Sequence, residues 1–105
     1  MKLKDGATIA GLHLIMRPVL KAADQIYREH GQELVITSGL DGIHSAGSYH
    51  YYGLALDFRD YYFDDKAQVI KKLRQALPEY DVVGESTHIH IEPGNDLLAK
   101  HGLLF

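Results

Sequence analysis

The sequence predicts an α+β fold, one small domain whose antiparallel sheet carries its helices on one face. Three observations predict it. Apolar residues recur at helical spacing in two separate segments. Four short runs have the β-branched or alternating character of strands. The last two of those runs are separated only by Ser86 and Thr87. A chain of 105 residues has room for a single domain, 1–105, with one modest core.

In chain order, the first helix is predicted over 12–27, where Leu12, Ile15, Met16, Val19, Leu20, Ala23, Ile26 and Tyr27 recur at steps of three and four. Pro18 either kinks this helix or marks its true first turn, and Gly31 is a natural stop. "ELVITSG" then reads as a buried strand over 33–37, and the glycine-rich stretch 38–52 as a loop. "LALDF", 54–58, is a second strand. "DDKAQVIKKLRQAL" is a second helix with Ala67, Ile70, Leu73 and Leu77 on one face, capped by Asp64 or Asp65 and ended by Pro78. Two extended segments, 81–85 and 88–92, and a short terminal helix complete the chain.

Composition narrows the function classes. The formal charge is −3 and the basic residues are scattered, so no electrostatic footprint for nucleic acid is present. Cysteine is absent, which excludes disulfides and thiolate metal sites; any metal must be held by His, Asp and Glu. The opening "MKLKDGATIAGLHLIMRP" lacks the features of a secretory signal, and no run approaches the ~20 apolar residues of a membrane span. Cytoplasmic synthesis and a monomer are the expectations.

The seven histidines are placed unevenly. His13, His30 and His101 stand alone and read as ordinary surface residues. His44, His50, His88 and His90 flank predicted strands, and the period of two in "HIHIE" sets His88 and His90 on one face with Ile89 and Ile91 on the other. Asp57 interrupts a strand otherwise fit for burial, and a buried carboxylate is costly unless a cation stands beside it. An ion pair with Arg59 or Lys66 is one solution. A zinc ion is the other, since it accepts imidazole nitrogen and carboxylate oxygen readily. Gly53 and Ala55, small and of the same parity as Asp57, would leave room above the sheet for a metal and its substrate.

Ser48, His50, Gly53, Ala55 and Asp57 form the pattern SxHxxGxAxD, and "ESTHIH" follows at 85–90. Together they resemble the zinc D-Ala-D-Ala carboxypeptidases and L-Ala-D-Glu endopeptidases of the M15 type. The segment is also similar to the zinc-binding amino-terminal signalling domain of Hedgehog proteins, where the match includes "DGIHS" at 41–45. The resemblance spans roughly residues 34–92. It implies the shared Hedgehog and DD-peptidase fold, with zinc bound by His50, Asp57 and His90 and with His88 as the reserve third ligand. Glu85 is implied as general base, and His88 and His44 as residues beside the metal that stabilise a developing oxyanion. One departure concerns spacing: Glu85 precedes His88 by three residues, one fewer than in Hedgehog domains. On a straight strand Glu85 would point away from both histidines, so a bulge or turn at Ser86 and Thr87 must reset the parity.

The implied activity is zinc-dependent hydrolysis of peptidoglycan stem peptides. Glu85 would take a proton from the attacking water and deliver it to the leaving amine. A phage or prophage enzyme released to reach the cell wall is one setting. The alternative is a non-catalytic zinc-stabilised binding domain of the same fold. Tyr49, Tyr51, Tyr52, Tyr61 and Tyr62 would line the cleft or cap the core.

Overall fold

The computed structural model describes residues 1–39, 49–60 and 63–103, with only the backbone of His50 and Tyr51. The apolar stripe beginning at Leu12 winds first into a short 3-10 turn, Leu14–Met16, and then into helix α1, Arg17–Glu29. Pro18 lies in the first turn of α1, where a missing N–H costs no hydrogen bond, so it starts the helix instead of kinking it. Helix α2, Lys66–Ala76, is capped by Asp65, whose carboxylate accepts from the Gln68 N–H at 3.1 Å. A third helix, α3, spans Asn95–Lys100.

The strands are β1 Lys2–Leu3, β2 Val35–Ser38, β3 Leu56–Arg59, β4 Tyr80–Gly84 and β5 His88–Pro93, in spatial order β1-β2-β3-β5-β4. The four strands expected from the sequence pair antiparallel, within two residues of the predicted ends. The sheet is nonetheless mixed, because β1 adds to β2 in parallel at the edge. With only two exposed residues, β1 is too short to carry an alternation pattern, and its hydrogen bonds to the β2 backbone create it. A bulge near Thr37 moves the β2–β3 register from Ile36 opposite Phe58 to Ser38 opposite Asp57.

One face of this sheet makes the core. Leu56 and Phe58 of β3 and Ile89 and Ile91 of β5 are fully buried against Val19, Ala23 and Tyr27 of α1 and Val69 and Leu73 of α2. Gly84 lets α2 approach β4: a Cβ there would stand 2.7 Å from the Ile70 Cδ1. The Tyr27 hydroxyl finishes the corner by donating to the Arg59 carbonyl at 2.8 Å. Both long helices thus occupy one side, and the polar residues of β3, β4 and β5 face the other. Among the described residues no helix is long and apolar enough to cross a membrane.

Candidate metal centre

Pairing across β3 and β5 sets Asp57 opposite His90 and Arg59 opposite His88. Laterally paired residues share a face, and the intervening Leu56, Phe58, Ile89 and Ile91 go to the core. Asp57, His88, His90 and Glu92 therefore emerge together on the side away from the helices. The alternation in "HIHIE" that predicts one face for both histidines is realised in β5, whose residues alternate between half-buried and buried along its length.

Asp57 is the residue around which the others gather. It is 8% exposed, so its charge cannot rely on water. Its Oδ1 lies 2.8 Å from His90 Nδ1 and 3.7 Å from His88 Nε2. The other side of the His90 ring is also engaged, with Nε2 2.7 Å from Glu92 Oε1. Held between two carboxylates, His90 keeps its proton more tightly than an ordinary histidine. The hydrogen bond to Asp57 is the largest cause, opposed by burial and reinforced by Glu92. Lys66, one of the two cations considered for Asp57, instead pairs with Asp60 at the end of β3.

The parity of Glu85 is settled by the hairpin. Gly84 pairs with Ile89 and Val83 with His90, and the Glu85 N–H donates to the His88 carbonyl at 2.9 Å across Ser86 and Thr87. The two-residue turn makes Glu85 the partner of His88, on the face that bears His88 and His90. Its side chain is exposed at the rim of the site.

Gly53 does other work than the sequence suggests. Its φ of +70° is left-handed, and a Cβ there would meet the Gly11 carbonyl oxygen at 2.5 Å, while its own carbonyl accepts from the His13 N–H at 2.9 Å. The room expected over Gly53 is filled by the 11–13 segment, and Ala55 is fully buried. Gly53 closes the 3-10 turn Tyr49–Tyr52, which carries the backbone of His50, onto that segment. The His50 side chain and the whole of His44 lie outside the described residues, as do the Tyr51 side chain, Tyr61 and Tyr62. Of the other tyrosines expected near the cleft, Tyr49 is half-buried and Tyr52 exposed.

The remaining histidines have local structural tasks. His13 Nδ1 accepts from the Ile15 N–H at 3.2 Å, His30 ends α1 beside Lys72, and His101 ends α3.

No family model, no curated protein and no solved structure matches the chain.

Among the described residues no three His, Asp or Glu side chains are grouped so as to hold a metal ion. The donor types present, carboxylate oxygen and imidazole nitrogen, are ones zinc accepts. Around a tetrahedral ion with ligands at ~2.0–2.1 Å, neighbouring donor atoms stand about 3.3 Å apart. The two separations from Asp57 Oδ1, 2.8 and 3.7 Å, fall on either side of that value. Asp57 with His90 or His88 could supply two ligands, and His50 is the further imidazole the sequence offers. Glu92 is the residue that reading the sequence for function passed over. Its signal was present in the period of two, which continues from His88 and His90 to Glu92.

Proposed function

We propose that this protein is a zinc-dependent peptidase that hydrolyses peptidoglycan stem peptides, as a D-Ala-D-Ala carboxypeptidase or a related endopeptidase. One observation carries the reading: a buried carboxylate, Asp57, meets two imidazole nitrogens on the sheet face that the helices leave open. The substrate class rests on the resemblance of "SYHYYGLALD" and "ESTHIH" to the zinc cell-wall peptidases.

His50, Asp57 and His90 would hold the ion. When bound, zinc supplies Lewis acidity toward the scissile carbonyl and an activated water at neutral pH. The chain's own residues do the rest. Glu85, exposed at the rim, accepts the proton of the attacking water and returns it to the leaving amine. His88, whose Nε2 faces the Asp57 carboxylate, remains close enough to the centre to donate a hydrogen bond to the oxyanion that develops on the substrate. His44 is assigned the same task from the sequence. Release from a phage-infected cell would bring the enzyme to its wall substrate.

Mass spectrometry of defined muropeptides incubated with zinc-loaded and with chelated protein tests the reading. Cleavage confined to the zinc-loaded sample is expected. Protein purified without chelators that carries no stoichiometric divalent ion would overturn it. Stoichiometric zinc without cleavage of any muropeptide would leave the non-catalytic binding domain in its place.

A further inference from the structure

We propose that Glu92 is a positioning residue for the metal centre: it holds His90 by Nε2, so that Nδ1 is the nitrogen presented to an ion beside Asp57. The inference rests on the zinc reading above and adds to it which atom of His90 binds and what fixes that choice.

The geometry carries it. The His90 ring is bracketed by Asp57 Oδ1 at 2.8 Å from Nδ1 and Glu92 Oε1 at 2.7 Å from Nε2. An ion can replace only one of these contacts if the ring is to stay anchored. Around Nδ1 the surroundings are those of a cation site: Asp57 is buried, and His88 Nε2 approaches the same oxygen at 3.7 Å. Around Nε2 they are less enclosed: Glu92 lies opposite Asp81 of β4, an exposed position, and its side chain is more exposed than that of Asp57. The two ends of the ring are thus unequal, and the Asp57 end is the one where donors converge.

Chemistry then assigns the role of Glu92. An imidazole that gives Nδ1 to a metal carries its proton on Nε2, and a carboxylate accepting that proton fixes the tautomer, locks the ring and raises its donor strength. Glu92 is well placed because a strand sets residues two apart on one face, and its side chain is 29% exposed, sheltered enough for the hydrogen bond to persist. Glu92 itself need not touch the ion.

Zinc affinity by competition with a chromophoric chelator, with ¹⁵N NMR of the His90 ring, tests this without any activity assay. In the zinc-loaded wild type, Nδ1 should report metal coordination and Nε2 a slowly exchanging proton. Glu92→Ala should weaken zinc binding by ~10- to 100-fold and speed exchange of the Nε2 proton, as loss of such an outer carboxylate does elsewhere. Glu92→Gln, which keeps an acceptor and the shape, should recover most of the affinity. Equal zinc affinity in wild type and Glu92→Ala, with both folded by thermal melting, would overturn the inference while leaving the zinc reading intact. Equal losses in the Ala and Gln variants would also overturn it, making Glu92 a ligand. A wild type without zinc affinity would overturn both.

Discussion

Glu85 and His88 face each other across a two-residue turn, with the Glu85 N–H donating to the His88 carbonyl at 2.9 Å. That relationship gives the proposed base on the rim and the histidine beside Asp57 a common face, although they lie three positions apart in the sequence. It also makes a variant specific. Glu85→Gln keeps the size and the turn, removes the proton acceptor, and replaces no proposed ligand. Zinc binding should be unchanged while muropeptide cleavage falls by ~10²- to 10⁴-fold, the usual range for a general base. Chelator competition and turnover measured on the same preparation check this; cleavage at the wild-type rate would remove Glu85 from the mechanism.

The two carboxylates around His90 predict opposite pH slopes for the metal-free and metal-bound protein. Asp57, then Glu92, raise the pKa of His90 against the effect of burial. A raised histidine contributes stability that is complete below its unfolded value of about 6.5 and is lost as pH climbs through the folded value. In chelated protein, the stability advantage of wild type over His90→Gln should therefore shrink as pH rises above about 6.5. Zinc affinity should rise over the same window, since the imidazole must shed its proton to bind. Urea unfolding and zinc titration at several pH values measure both; a wild-type advantage that grew with pH would contradict the assignment.

Gly53 offers a steric test of how the His50 turn is held. Gly6 and Gly53 both have left-handed φ, +88° and +70°, yet a Cβ at Gly6 meets nothing within 4 Å while one at Gly53 meets the Gly11 oxygen at 2.5 Å. Gly6→Ala should cost roughly 1 kcal/mol through backbone strain alone. Gly53→Ala should cost more than that, because the clash adds to the strain. Only Gly53→Ala should also weaken zinc binding, by displacing the turn Tyr49–Tyr52 whose Tyr49 carbonyl accepts from the Leu54 N–H at 2.9 Å. Thermal unfolding and zinc titration of the two variants, side by side, decide it.

Much of this could be read from the residues because the physics involved is periodic. The helical recurrence from Leu12 to Tyr27 locates α1, and the alternation in "HIHIE" puts His88 and His90 on one face. What escaped depends on long-range pairing. β1 is two residues long and exists only because β2 offers its edge. The face of Glu85 depended on a turn whose geometry two polar residues do not dictate. Gly53 read as space because its small size was visible in the sequence, whereas the Gly11 carbonyl that uses the space comes from more than forty residues away. Glu92 was legible as a strand position and not as a partner, since its meaning came from which nitrogen of His90 it reaches.

The last prediction concerns the anchor of the hairpin that carries Glu85. The Lys66 ammonium, at the start of α2, pairs with the Asp60 carboxylate and donates to the Glu85 carbonyl, tying the end of β3 to the hairpin tip. The two partners are unequal: the Asp60 side chain is 3% exposed and that of Lys66 30%. Lys66→Met therefore leaves a buried carboxylate without its cation, which should cost about 2–3 kcal/mol, the lower end for a buried pair because water still reaches Lys66. Pairing it with Asp60→Asn should return part of that loss, since the remaining side chain carries no charge to strand. Faster amide exchange at Glu85 in Lys66→Met, read with urea unfolding, would register release of the hairpin tip. A loss below about 0.5 kcal/mol would mean the pair behaves as a solvated surface contact, and the position of Glu85 would then be owed to the Ser86–Thr87 turn alone.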